Sequence, residues 1–220
     1  MSALFGVLSE NIDEFGGGLW VTLRLVGAAF AIALVVGTLV AGLRIAPSMW
    51  LKRLGGFYVE TIRNIPLLVL LTLSYAGLRR AGLPIDPWTA GIASLGLYTA
   101  AYVAEVLRSG VFSVSRGQIE ASLSLGFSYT ETLRRIVLPQ AFRTVVAPLG
   151  SITIAMIKNS AIVGASIIAL SDLLKNARIV QSDTFQTEES FLWAAVGYLM
   201  LTGAATVAFR VLERRLAISR

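Results

Sequence analysis

The ionisable side chains are few, and their placement limits the chemistry open to this chain. Arg24, Glu60, Arg63, Glu105, Arg108 and Lys158 lie within or beside long apolar runs. Charge buried in lipid is costly, so such groups are candidates for ion pairing, for holding a charged solute, or for anchoring a helix end. Histidine and cysteine are both absent from the 220 residues. That excludes disulfides, thiolate nucleophiles and His- or Cys-ligated metal sites. No G-x-x-x-x-G-K-[ST] loop is present to cradle nucleotide phosphates, so the chain should hydrolyse nothing alone and bind no cofactor of its own. A membrane-embedded enzyme would need clustered His, Cys or paired carboxylates, and these are lacking. The chemistry left is recognition and movement.

Glu60 and Arg63 stand three residues apart, as do Glu105 and Arg108. That spacing pairs opposite charges on one helix face, and both couples read as structural ion pairs. Arg24 lies about one turn inside its apolar run, where a side chain snorkelling beside Trp20 and a pathway cation both fit. Lys158 closes an apolar stretch, where a helix-end cap and a solute-binding cation both fit.

The elements that carry these residues are apolar and long. The chain is 55% hydrophobic and only 15% charged, with a mean hydropathy of +0.73. Soluble domains carry about 25% charged residues, so the balance predicts an integral membrane protein. A spanning helix needs about 20 mainly apolar residues. Five segments qualify, near residues 19–43, 57–78, 88–107, 140–157 and 190–209. The fourth has 14 uncharged residues, Thr144 to Ile157. These cover only about 21 Å, so either the span starts earlier, near Gln140, or it sits inside a bundle. The expectation is an all-α integral membrane protein, one domain over residues 1–220. A stand-alone secondary transporter is the rival reading, but it would carry internal repeats or more spans.

Basic residues collect on the inner side of membrane proteins. With the C-terminus inside, thirteen of the 19 Lys and Arg residues lie inside, among them Arg44, Lys52, Arg116, Arg134, Arg135 and Arg220, and four lie outside. The prediction is a multi-pass protein of the cell membrane, N-terminus outside and C-terminus cytoplasmic. The net charge of +6 thus reads as topology, and nucleic acid is not an expected partner. The start, "MSALFGVLSENIDEFGGG", lacks the positive region of a cleavable signal.

Between the third and fourth spans lies a polar stretch, "GQIEASLSLGFSYTETLRRIVLPQA". Ser115 with Gln118 and Ser128 with Glu131 fit capping boxes, so two short helices are predicted. Ile119, Leu123, Gly126 and Phe127 make an apolar stripe, and Gly126 supplies the backbone freedom for a turn. Pro139 should mark the bend into the fourth span. An amphipathic hairpin resting on lipid and a rigid docking element are both consistent with this pattern.

Glu120-Ala121-Ser122, then Gly126, then Ile136-Val137-Leu138-Pro139, resembles the EAA loop of ABC importer permeases, with Ser122 where a second Ala is usual. "GLWVTLRL", "ETIRNIPLLVLL", "AAYVAEVLRSGVFSVSRGQIEA" and "LPQAFRTVVAPL" are similar to stretches of the polar amino acid permeases. The resemblance implies the type I ABC importer permease fold, with five core helices and a cytoplasmic coupling-helix loop over residues 115–139. It implies two ABC ATPase subunits that hold ATP and Mg²⁺, a second permease (identical or not) and an extracytoplasmic amino-acid-binding protein. Glu120, Ala121, Ser122, Gly126, Ile136, Leu138 and Pro139 would couple to the ATPase. Arg134 and Arg135 would face either that partner or anionic membrane lipid.

"IKNSAIVGAS" resembles the family's K-D-T-S-L stretch, with Asn159 where Asp is common. Lys158, Asn159 and Ser160, with Arg63 and Arg24, are the candidate pathway residues. Loss of the acid leaves Lys158 in surroundings that favour an anionic or neutral solute. Glutamate or glutamine is therefore expected, with a basic amino acid as the alternative. "FQTEESF", Phe185 to Phe191, within the outer loop 171–189, fits both a solvated loop and a contact for the binding protein.

Overall fold

A stripe of small residues decides how the two most closely packed helices meet. Ala29, Ala33, Gly37 and Ala41 recur every four residues on α2 (Ile12–Ile45), and Gly96, Ala100 and Ala104 do the same on α6 (Pro87–Phe112). A Cβ on Gly37 would come within 2.7 Å of Val103, and one on Gly96 within 2.9 Å of Ile32. Where lipid surrounds a bundle, close backbone approach through small residues is what holds helices together.

The computed structural model describes residues 2–216, and no strand forms among them. Arg220, one of the basic residues assigned to the inner side, lies outside the described residues. Besides α2 and α6, the chain forms α1 (Ser2–Glu10), α3 (Met49–Asn64), α4 (Leu67–Thr72), α5 (Leu78–Arg80), α7 (Arg116–Ser124), α8 (Tyr129–Thr132), α9 (Leu138–Ala165), α10 (Leu173–Thr184) and α11 (Thr187–Leu216). Four helical stretches are long and apolar enough to cross a membrane: Ile12–Ile45, Pro87–Phe112, Tyr129–Ala165 and Thr187–Leu216. A fifth crossing requires α3 and the stretch Leu67–Arg80 together, bent by 102° at their junction.

Two expectations change here. The segment predicted as one span over 57–78 is broken, because Pro66 has no N–H and drives Ile65 into extended backbone, φ −101° and ψ 129°. The helix predicted to start near Gln140 instead runs unbroken from Tyr129, so "YTETLRRIV" forms its first turns and Pro139 marks no bend. A π turn, Leu133–Val137, lies just before Pro139, where a regular turn would set the ring against the Arg135 carbonyl.

The core joins α2, α6 and α9 through Leu25, Leu95, Met156 and Val163, all fully or nearly fully buried. A second cluster, with Val7, Phe15, Leu173, Val180 and Ala194, gathers α1, the start of α2, α10 and the start of α11 at one end of the bundle. There the Trp193 Nε1–H donates to the Leu4 carbonyl at 2.8 Å, and the Asn176 amide donates to the Glu14 carbonyl at 2.8 Å. The loop 171–189, unassigned in the sequence, is thus mostly the docked helix α10. The opposite end carries α7, α8 and the C-termini of α2, α6 and α11, rich in arginine. Exposed Leu199, Met200 and Val207 give α11 an apolar outer face suited to lipid.

Candidate functional site

At the basic end, α7 and α8 form a small knob whose shape is fixed by local hydrogen bonds. Gly126 takes φ +86°, open to glycine and strained for other residues. Its N–H donates to the Leu123 carbonyl at 3.0 Å, and the Phe127 N–H donates to the Ser122 carbonyl at 3.2 Å. These bonds make the Schellman ending of α7. The capping box at Ser128 then starts α8: the Glu131 N–H donates to Ser128 Oγ at 3.3 Å, and the Ser128 N–H donates to Glu131 Oε2 at 3.0 Å. The box expected at Ser115 does not close. Ser115 is the N-cap of α7, but its side chain makes no capping bond, and the Gln118 N–H goes to the Ser115 carbonyl instead.

The apolar stripe also turns out differently. Leu123 and Leu125 project into the open, with Glu120 and Ala121 exposed beside them. The buried residue of α7 is Ser122, whose hydroxyl lies 2.8 Å from that of buried Thr132. The sequence offered no signal for this link, because each residue alone reads as a surface polar group. Ile136 is half-buried and Leu138 and Pro139 are exposed on the helix that Thr132 begins. The knob is therefore tied to a helix that continues to Ala165.

Several ionisable groups meet nearer the middle of the chain's path. Glu105 bridges Arg44, from the end of α2, and Arg108, at 2.5 Å on its own helix. The Glu105–Arg108 couple forms as expected; Arg44, read only as a topology signal, is its unforeseen third member. The expected Glu60–Arg63 pair does not form. Arg63 instead places its guanidinium 5.2 Å from the Tyr102 ring centre, a cation–π contact that replaces the acid. Arg44, Glu60, Arg63, Asn64, Tyr102 and Glu105 line a polar cavity of about 440 Å³ beside the break in the second span.

Arg24 lies apart from this group, stacked 5.1 Å over Trp88 rather than beside Trp20. Lys158 is exposed on α9, which continues to Ala165, so it caps no helix end. Asn159 is half-buried, and buried Ser160 turns its hydroxyl onto the Ile157 carbonyl at 2.7 Å. Sequence reasoning passed over Asp172. It caps α10 by accepting the Lys175 N–H at 2.9 Å, and it accepts the Tyr198 hydroxyl at 3.2 Å. Burial pushes its carboxyl up to about 6.

This arrangement has counterparts among known proteins. Residues 29–218 match the family model described as binding-protein-dependent transport system inner membrane component. The chain is 40% identical over 210 residues to the probable glutamine ABC transporter permease protein GlnM of Bacillus subtilis (strain 168), covering 96% of each. It is 35% identical over 237 residues to the glutamate transport system permease protein GluC of Corynebacterium glutamicum, covering 100% of each. A chain in the crystal structure of an amino acid ABC transporter with histidines superposes with a TM-score of 0.89 at 35% identity, over 94% of this chain and 96% of that one.

Proposed function

This chain belongs to the family of binding-protein-dependent transport system inner membrane components, and from that premise we propose that it carries glutamine or glutamate across the cell membrane as the permease half of an ATP-driven importer. It is a multi-pass membrane subunit of an amino acid ABC importer. The whole chain acts as one transmembrane domain, its basic end in the cytoplasm and its N-terminus outside, a reading supported by thirteen inner against four outer basic residues. ATP and Mg²⁺ are bound by two partner ATPase subunits. A second permease completes the pathway, and a binding protein delivers the solute to the outer end.

One observation carries the mechanism: a rigid knob joined through Ser122 and Thr132 to an unbroken helix from Tyr129 to Ala165. The knob offers exposed Glu120, Ala121, Leu123 and Leu125 to a partner's cleft, with Gly126 fixing its turn. Motion of the ATPases, received there, tilts the long helix as a lever. Ile136 lies in the π turn of that lever, Leu138 and Pro139 just past it, and the three carry the tilt into the span. Lys158, Asn159 and Ser160 lie toward the lever's far end, so the tilt moves the residues assigned to the pathway. Arg63 and Arg24 are the further pathway cations.

The choice of solute is supported by Lys158 next to Asn159. With a neutral amide where an acid is common, the local charge favours glutamate or glutamine over arginine, lysine or histidine. Co-purification in mild detergent should recover an ATPase, a second permease and a binding protein. Uptake by the reconstituted complex should be inhibited by glutamate or glutamine. Inhibition by arginine without inhibition by glutamate or glutamine would sink the solute assignment.

A further inference from the structure

The lever leaves a cleft beneath it that the transport reading does not use. A cavity of about 560 Å³ lies between the last turns of α2, the end of α6 and the first turns of the lever. Its walls are apolar almost throughout, with Ile45, Leu107, Leu138 and Phe142 among them. A second cavity of about 270 Å³ adjoins it, sharing Ile45, Val111, Tyr129 and Leu133. This second space adds two cations, Lys52 at the start of α3 and Arg116 at the start of α7. Neither makes an ion pair among the described residues.

We propose that this double cleft holds one anionic phospholipid, an acyl chain in the larger cavity and the phosphate between Lys52 and Arg116. Three features select that occupant. Leu138 and Phe142 line the cavity and are also exposed, so its wall reaches the apolar outer surface of the bundle, which a bilayer would cover. The two cavities run along helix ends, with Lys52 and Arg116 toward the basic end and apolar walls toward the bundle's middle. A lipid has the same order along its axis, head outward and tail inward. Basic pockets between helix ends are known to take acidic headgroups, each nearby cation adding about 1 kcal/mol, or roughly fivefold. The volume suits one chain, being within the about 300–1,000 Å³ typical of small-ligand pockets.

The position gives the lipid a task. Tyr129 and Leu133 lie on the first turns of the lever, so an acyl chain beneath them props the lever against α2 and α6. The lipid would then bias the motion that the knob receives.

Gly42 supplies a clean test, because it lines the larger cavity and a Cβ built there meets nothing within 4 Å. Gly42→Leu should therefore fold while filling the space the chain would occupy. The whole importer is purified in mild detergent, exposed to phosphatidylglycerol or phosphatidylcholine, and its retained lipid counted by native mass spectrometry. The wild type should retain phosphatidylglycerol selectively. Gly42→Leu should lower that retention at least fivefold, and Lys52→Gln with Arg116→Gln should remove the preference over phosphatidylcholine, a drop of roughly tenfold or more. Equal retention of both lipids by the wild type overturns the proposal, as does unchanged retention in both variants. Loss of the ATPase from Gly42→Leu with its lipid intact also overturns it, by showing the cleft to be a protein-docking surface.

Discussion

The hydroxyls of Ser122 and Thr132 lie 2.8 Å apart in a buried contact that ties α7 to the first turn of the lever. Thr132 has no other side-chain partner among the hydrogen bonds described, whereas Ser122 also donates to the Ile119 carbonyl at 2.8 Å. Ser122→Ala therefore strands a buried hydroxyl, at a cost of about 1–3 kcal/mol. The variant should melt lower in detergent and take up less solute per ATP hydrolysed. Adding Thr132→Val removes the stranded group and should recover most of the melting temperature. If the double variant melts below the single one, the contact is not what stabilises the joint.

Gly126 holds φ +86° and donates its N–H to the end of α7. Proline fixes φ near −65° and has no N–H, so Gly126→Pro should break the knob at a cost of about 3 kcal/mol. Uptake should fall at least tenfold while membrane insertion and ATP hydrolysis persist. Glu120→Ala, which changes only an exposed contact, should uncouple with less loss of stability. Parallel measurement of uptake and hydrolysis in proteoliposomes checks both, and normal uptake in both variants would remove the knob from the mechanism.

What could be read from the sequence, and what could not, divides along physical lines. Helices declare themselves through apolar run length, which is why segments near residues 19–43, 88–107 and 190–209 fall inside observed helices. The turn at Gly126 and the capping box at Ser128 were legible because each depends on residues within a few positions. The second span misled because apolarity continues through Pro66 while the backbone does not. The lever's start misled because a π turn accommodates Pro139, and no composition rule marks a π turn. Partners far apart in sequence were invisible: Arg44 reaches Glu105 across 61 residues, and Arg63 reaches Tyr102 rather than its helical neighbour Glu60. Arginine can exchange a carboxylate for a ring face, so spacing on one helix cannot settle its partner.

Glu105 is the shared acid of the triad with Arg44 and Arg108. Removing one member of a buried pair costs about 3–5 kcal/mol, because the remaining charge is left uncompensated. These side chains keep 16%, 25% and 31% exposure for Arg44, Glu105 and Arg108, so solvent screens part of that, and about 2 kcal/mol is expected for Glu105→Ala. The triad joins the end of α2 to α6, so the loss should appear as reduced yield of folded importer and a lower melting temperature. Glu105→Gln, which keeps acceptor capacity, should be milder. Equal melting of Glu105→Ala and wild type would show that the triad adds nothing to the fold.

Asp172 offers a pH signature at the other end of the bundle. Burial is the main influence on it, raising its carboxyl from 3.8 to about 6 against the Lys175 N–H, the Tyr198 hydroxyl and the charge of Arg178, all of which lower it. Between about pH 4 and pH 6 the folded protein holds a proton that the unfolded chain has released. The contribution of this group to stability is therefore largest below pH 4, falls as pH rises through that window, and is level above it. The gap of about two units corresponds to roughly 3 kcal/mol. Asp172→Asn keeps an oxygen to accept the Lys175 N–H and has an amide able to donate to the Tyr198 hydroxyl, without the buried charge. It should melt higher than wild type at pH 8 and nearly equal to it at pH 4. A melting difference that is the same at both pH values would mean that the carboxylate is not titrating in this window.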